Sequence, residues 1–217
     1  MNEAGARLER SMGHVSLHYG RPEEGPLAAR LLAALGFIQA EHFILPDGSD
    51  FYRFVVDQKH AGRADGILFL SVAPAEQRAL GAAINDALKV DTPAQHPTVS
   101  AWRDALARLP EMNFHVGFLV STLEEAERIA LDVQALNDKD DDFRGRLKAS
   151  WNRAQRGDPA VDARLDASPV FAGKGSDVYQ PIAAVQLFIE TDIIVCGPLQ
   201  DRMTLEFDYV FPGFRQG

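Results

Sequence analysis

The chain has 217 residues, a formal net charge of −9 and 46% hydrophobic content, which fits a folded protein with one or two compact units and a real core. No apolar run approaches the roughly 18 residues of a membrane-spanning helix, and the opening MNEAGARLERSMGH lacks an apolar signal core, so a cytoplasmic protein is expected. Cys196 is the only cysteine, which excludes an internal disulfide and a multi-cysteine zinc site, and the acidic balance argues against nucleic acid or a membrane as partner.

Residues 1–12 read as a helical lead-in. HVSLHY at 14–19 alternates polar and apolar residues and reads as a strand. LAARLLAAL at 27–35 has strong helix propensity and is closed by Gly36. Short strands follow at 43–45, 51–56 and 66–72, with a turn at Pro46-Asp47-Gly48. Helices are expected at 75–88 and at 99–109, the second capped by Thr98 or Ser100 and stopped by Pro110.

The stretch 112–121, MNFHVGFLVS, reads as a strand. His115, Gly117 and Leu119 fall on one face, and Phe114, Val116 and Phe118 on the other. Thr122 caps a helix over 123–136, with Glu124 and Glu125 in its first turn. The acidic run 138–142 reads as a solvated loop. Residues 143–155 are expected to be helical and 159–174 loop-like, so 137–178 stands as an insertion. AVQLFIETDIIVC at 184–196 is a long strand, bent near Thr191, and MTLEFDYVF at 203–211 is the last strand. On that strand Glu206 lies between Leu205 and Phe207, and a carboxylate there needs a metal, a cation or water.

Placing His14 over His115 aligns HVSLHYGRPEEGPLAARLLAAL with HVGFLVSTLEEAERIALDVQAL without a gap, a shift of 101 residues. Each half is a strand, a helix and a run of strands. The expected fold is therefore α+β: two βαβββ units pairing into a curved mixed sheet around a central cavity, with extra helices between and within the units. The units span 13–74 and 112–217, with a helical connector at 75–111.

GHVSLHY at 13–19, FHVGFLV at 114–120 and TLEFDY at 204–209 resemble the vicinal oxygen chelate superfamily, which includes glyoxalases, extradiol dioxygenases and metal-free bleomycin-resistance proteins. The resemblance implies a divalent metal, Fe(II) first and Mn, Ni or Zn as alternatives, held by His14, His115 and Glu206. It implies an enzyme acting on a small molecule with neighbouring oxygens, such as an extradiol-type dioxygenase or a glyoxalase-type lyase, with His18 on the face of His14 as catalytic proton shuttle. Phe69 stands where a fourth ligand of a glyoxalase would be. That favours the alternative, a metal-free protein that sequesters a flat aromatic molecule with Phe51, Tyr52, Phe69, Phe188 and Phe207 around it. Tyr179 and Gln186 are weaker candidates for the cavity. His42, His60 and His96 read as surface residues without organised partners. Whether the units pair within one chain or swap in a homodimer stays open.

Overall fold

Residues 12–173 and 180–213 are described in a computed structural model of the chain. Most of the expected lead-in and Tyr179 fall outside them.

Strand β1 (His14–Tyr19) leads into helix α1 (Gly25–Ala34), followed by β2 (Ile38–Ile44), β3 (Asp50–Val55) and β4 (Ile67–Val72). Helices α2 (Ala75–Ala87) and α3 (Pro97–Arg108) form the connector. The second unit repeats the pattern with β5 (His115–Leu119), α4 (Leu123–Lys139), β6 (Leu147–Asn152), β7 (Ala184–Cys196) and β8 (Asp201–Val210), and α5 (Pro159–Asp166) lies between β6 and β7. In each unit the first and last strands pair in parallel, β1 with β4 and β5 with β8. The remaining hairpins are antiparallel. The fold is the expected α+β arrangement of two βαβββ units sharing one eight-stranded, curved and unclosed sheet.

The units join through β7. Its first part pairs with β6 on one edge and β8 on the other, and the register shifts between Thr191 and Val195. Beyond that shift the strand meets β1 at His18↔Val195 and Tyr19↔Ile194. A bulge of this kind bends a strand, here redirecting the end of β7 towards the first unit.

Leu31 and Leu32 of α1 are buried with Leu17, Phe54, Leu68 and Leu70, while Ile129 and Val133 of α4 are buried with Val116, Phe118, Leu187 and Leu205. The two cores are continuous. Phe37 packs 4.8 Å from Phe118 and 6.0 Å from Phe207, ring centre to ring centre. Leu- and Ala-rich α1 ends in a Schellman turn: Phe37 N–H donates to Leu32 O, Gly36 N–H to Ala33 O, and Gly36 takes φ +99°. Thr122 caps α4 by accepting from Glu125 N, and the Glu125 carboxylate accepts from Ser121 N. No helix among the described residues is long and apolar enough to cross a membrane.

Several local expectations are corrected. Residues 143–155 do not form a helix, because LKASWN is the strand β6. Its Leu, Ala and Trp alternate with Lys, Ser and Asn, a period of two obscured by the helix formers around it. The loop-like stretch contains α5, started by Pro159 and capped by Asp158, which accepts from the N–H groups of Ala160 and Val161. The cap of α3 is His96 rather than Thr98 or Ser100. Phe114 is not core: it precedes β5 and is exposed. β2 is longer than expected, an edge strand with every residue exposed.

Candidate functional site

The face of the sheet turned away from α1 and α4 carries the expected site residues, and strand register shows which side chains share it. In the second unit His115 stands beside Thr204, Gly117 beside Glu206 and Leu119 beside Asp208. The next strand puts Glu190, Phe188 and Gln186 beside Thr204, Glu206 and Asp208. In the first unit His14, Ser16 and His18 stand beside Ile67, Phe69 and Ser71.

His115 and Glu206 come together. Nε2 of His115 lies 3.1 Å from Oε2 of Glu206, whose residue is only 4% exposed. The imidazole is oriented by its other nitrogen: Nδ1 donates to the carbonyl of Asn113 at 2.9 Å. A carbonyl only accepts, so the proton on Nδ1 is fixed and Nε2 is the nitrogen turned to the carboxylate. Oε1 of Glu206 accepts from Nε2 of Gln186 at 2.8 Å. Gly117 lies beside the pair, where an added Cβ would sit 3.7 Å from Glu206 Oε2, an ordinary contact.

Asp208 lies beyond Glu206 on the same face, and its Oδ1 is buried without a hydrogen-bond partner among the described residues. Burial, and then the neighbouring Glu206 charge, push the Asp208 carboxyl up to about 8.

His14 is not grouped with this pair. Its ring packs 5.1 Å from Phe69, and it stands four residues before His18, the β1 residue that meets β7. At the rise of an extended strand that is about 13 Å along β1. His18 faces Ser71, with Nδ1 3.3 Å from its Oγ.

Around His14 the first unit builds a row of rings across four strands. Phe43 to Phe51, Phe51 to Phe69 and Phe69 to His14 are 6.4, 5.5 and 5.1 Å apart. Phe43 is 50% exposed. Of the aromatic residues expected around a ligand, Phe51 and Phe69 lie on this face. Tyr52 and Phe207 point into the core instead, and Phe188 shares the face but is buried.

Two ligands held at about 2.0–2.2 Å from one ion, at right angles, stand about 3 Å apart. His115 Nε2 and Glu206 Oε2 have that spacing. The Asn113 bond is the kind that orients metal-binding histidines. Among the described residues, however, no three His, Cys, Asp or Glu side chains are grouped to hold a metal. The pair fits as two neighbouring ligands; the full set with His14 does not.

The histidines expected at the surface have partners after all. His42 Nε2 lies 2.6 Å from Asp50 Oδ1, with its ring stacked on Tyr52 at 4.4 Å. His60 faces Asp65. A cleft of about 520 Å³ beside the β7–β8 turn is lined by charges that largely neutralise one another, Arg103 with Asp201 and Arg202 with Glu190 among them. Cys196 is half-buried, and desolvation, then the charge of Asp201, push its thiol up to about 11, which disfavours the thiolate.

The sequence marked His115 and Glu206 and put Asp208 on the same strand face as Glu206. It missed Asn152 on the neighbouring strand and Glu111, which accepts from Asn152 Nδ2, because that strand read as a helix. Compared with known protein families, with curated proteins and with solved structures, the chain matches none.

Proposed function

We propose that the protein binds a small planar organic molecule on this sheet face, with the His115–Glu206 pair as polar anchor and the Phe43–Phe51–Phe69–His14 row as apolar wall. The observation that carries it is a half-buried imidazole paired with a buried carboxylate on the same sheet face as four successive, partly exposed rings. A flat ring stacks on such a row. Hydroxyl groups on its edge can donate to Glu206 and exchange hydrogen bonds with His115 Nε2. Binding sites of this kind join an apolar wall to a few placed polar groups. The protein is proposed to be cytoplasmic.

Catechol is the probe, titrated by calorimetry in the presence of a chelator. Binding that weakens at least tenfold in His115→Ala, and measurably in Phe69→Ala, supports the reading. Absence of binding, or binding indifferent to both substitutions, overturns it.

A second reading is favoured by the 3.1 Å spacing of His115 Nε2 and Glu206 Oε2: a metal-dependent dioxygenase or lyase of the vicinal oxygen chelate type, with His18 as proton shuttle. Thermal unfolding with Fe(II), Mn(II), Ni(II) or Zn(II) separates the two. A bound ion raises the transition temperature by mass action, and His115→Ala removes that rise. A metal-free binder shows neither effect.

A further inference from the structure

We propose that Glu111, Asn152 and Gln186 form a hydrogen-bonded relay that positions Glu206, so that the end of the helical connector sets the geometry of the His115–Glu206 pair. The inference rests on the reading of that pair as the ligand anchor, and it is tested without a ligand.

The relay begins in the 3₁₀ turn Pro110–Met112, which joins α3 to β5. Nδ2 of Asn152 donates to Glu111 Oε1 at 2.9 Å and to Gln186 Oε1 at 3.0 Å. Gln186 Nε2 then donates to Glu206 Oε1 at 2.8 Å. A carboxylate oxygen accepts, and a glutamate oxygen accepts at each end of this relay. Asn152 must therefore turn its nitrogen to Glu111, and Gln186 its nitrogen to Glu206. The middle bond then matches a donor with an acceptor. Rotating either amide by half a turn would set oxygen against oxygen or nitrogen against nitrogen. The direction of the chain is fixed from both ends.

Two consequences follow for the site. Oε1 of Glu206 is occupied, so Oε2 is the oxygen turned to His115. The circuit also closes: His115 Nδ1 donates to the carbonyl of Asn113, two residues after Glu111. One short stretch, residues 111–113, thus holds the carboxylate through a side-chain relay and the imidazole through a main-chain carbonyl. The connector lies between the two repeated units and has no counterpart within either. Gln186, Asn152 and Glu111 are positioning residues, acting through Glu206.

The test uses long-range proton–nitrogen NMR spectra of the imidazoles in the full chain. Glu111→Ala and Gln186→Leu are expected to shift both ring-nitrogen resonances of His115 and leave those of His42 and His60 in place. Glu111→Gln keeps an oxygen that can accept from Asn152, so it should restore the wild-type His115 signals. His115 signals unchanged in Glu111→Ala overturn the proposal, as do signals in Glu111→Gln that match those of Glu111→Ala. Glu111 is only half-buried, so its variants decide the matter even where Gln186→Leu fails to fold. Failure of catechol binding would remove the ligand reading and leave these spectra unaffected.

Discussion

The two units share a topology and a strand register but have opposite faces. Ser16, Phe69 and Arg53 in the first correspond to Gly117, Glu206 and Phe188 in the second, and His18, Ser71 and Phe51 correspond to Leu119, Asp208 and Gln186. Phe69 and Phe51 of the first unit correspond to a carboxylate and an amide in the second, while Arg53 of the first corresponds to a ring, Phe188. In the first unit the rings are partly open to solvent. In the second, Glu206, Thr204 and Phe188 are buried. Repetition of the backbone fixes where side chains stand. The side chains decide which half supplies an apolar wall and which a polar anchor.

Truncations on the two faces should break or sharpen this contrast most. Phe188→Ala removes a ring that is 1% exposed, and is expected to cost about 3–5 kcal/mol. Phe69→Ala, on the open row, should cost about 1 kcal/mol. Urea unfolding of both variants checks this, and equal costs would erase the contrast.

The histidines at the head of each unit come next. His115→Ala leaves the Glu206 carboxylate buried without its imidazole. The imidazole side chain is 30% exposed, so the expected loss is discounted to about 2 kcal/mol. His14→Ala should stay within about 0.5 kcal/mol.

Asp208 adds a pH dependence confined to the second unit. Its carboxyl is raised in the folded state, so the native protein holds a proton that the unfolded chain releases above about 4. Stability is therefore highest below that value and falls as pH rises towards 8. Asp208→Asn should be more stable than the wild type at pH 8, by about 1 kcal/mol after allowing for solvent screening. The gain should vanish near pH 4, as denaturant midpoints across that range would show.

The smallest effect concerns the segment between β6 and β7. Hydrogen bonds from Arg156, then Arg153, hold the Asp166 carboxyl down to about 2. The contribution of this clamp is present above the unfolded value near 4 and is lost as pH falls towards 2. Limited proteolysis near α5 should accelerate over that interval, and Asp166→Asn should abolish the acceleration.

Much of the fold was legible because it is written twice. The 101-residue shift places His14 over His115, and the pairing of β1 with β4 from His14↔Ile67 is matched by that of β5 with β8 from His115↔Thr204. The bend of the long strand near Thr191 was also visible, in a run too long for one straight strand. Other features depend on contacts the sequence does not display. LKASWN carries a strand period inside a helix-prone stretch, and hiding that strand hid Asn152. The separation of His14 from His115 follows from the junction forming at His18, at the far end of β1, a choice made by tertiary packing and not by either strand alone. His42 and Asp50 meet because β2 and β3 form a hairpin whose register no local pattern specifies.

The central claim is that a ligand is held between the polar pair of one unit and the aromatic row of the other. Imidazole proton–nitrogen spectra of the chelated protein, recorded as catechol is added, test it most directly because all six histidines report at once. The signals of His115 and His14 should move together with saturation, while those of His42, His60 and His96 stay fixed. Movement of only those three, or of none, would contradict the account.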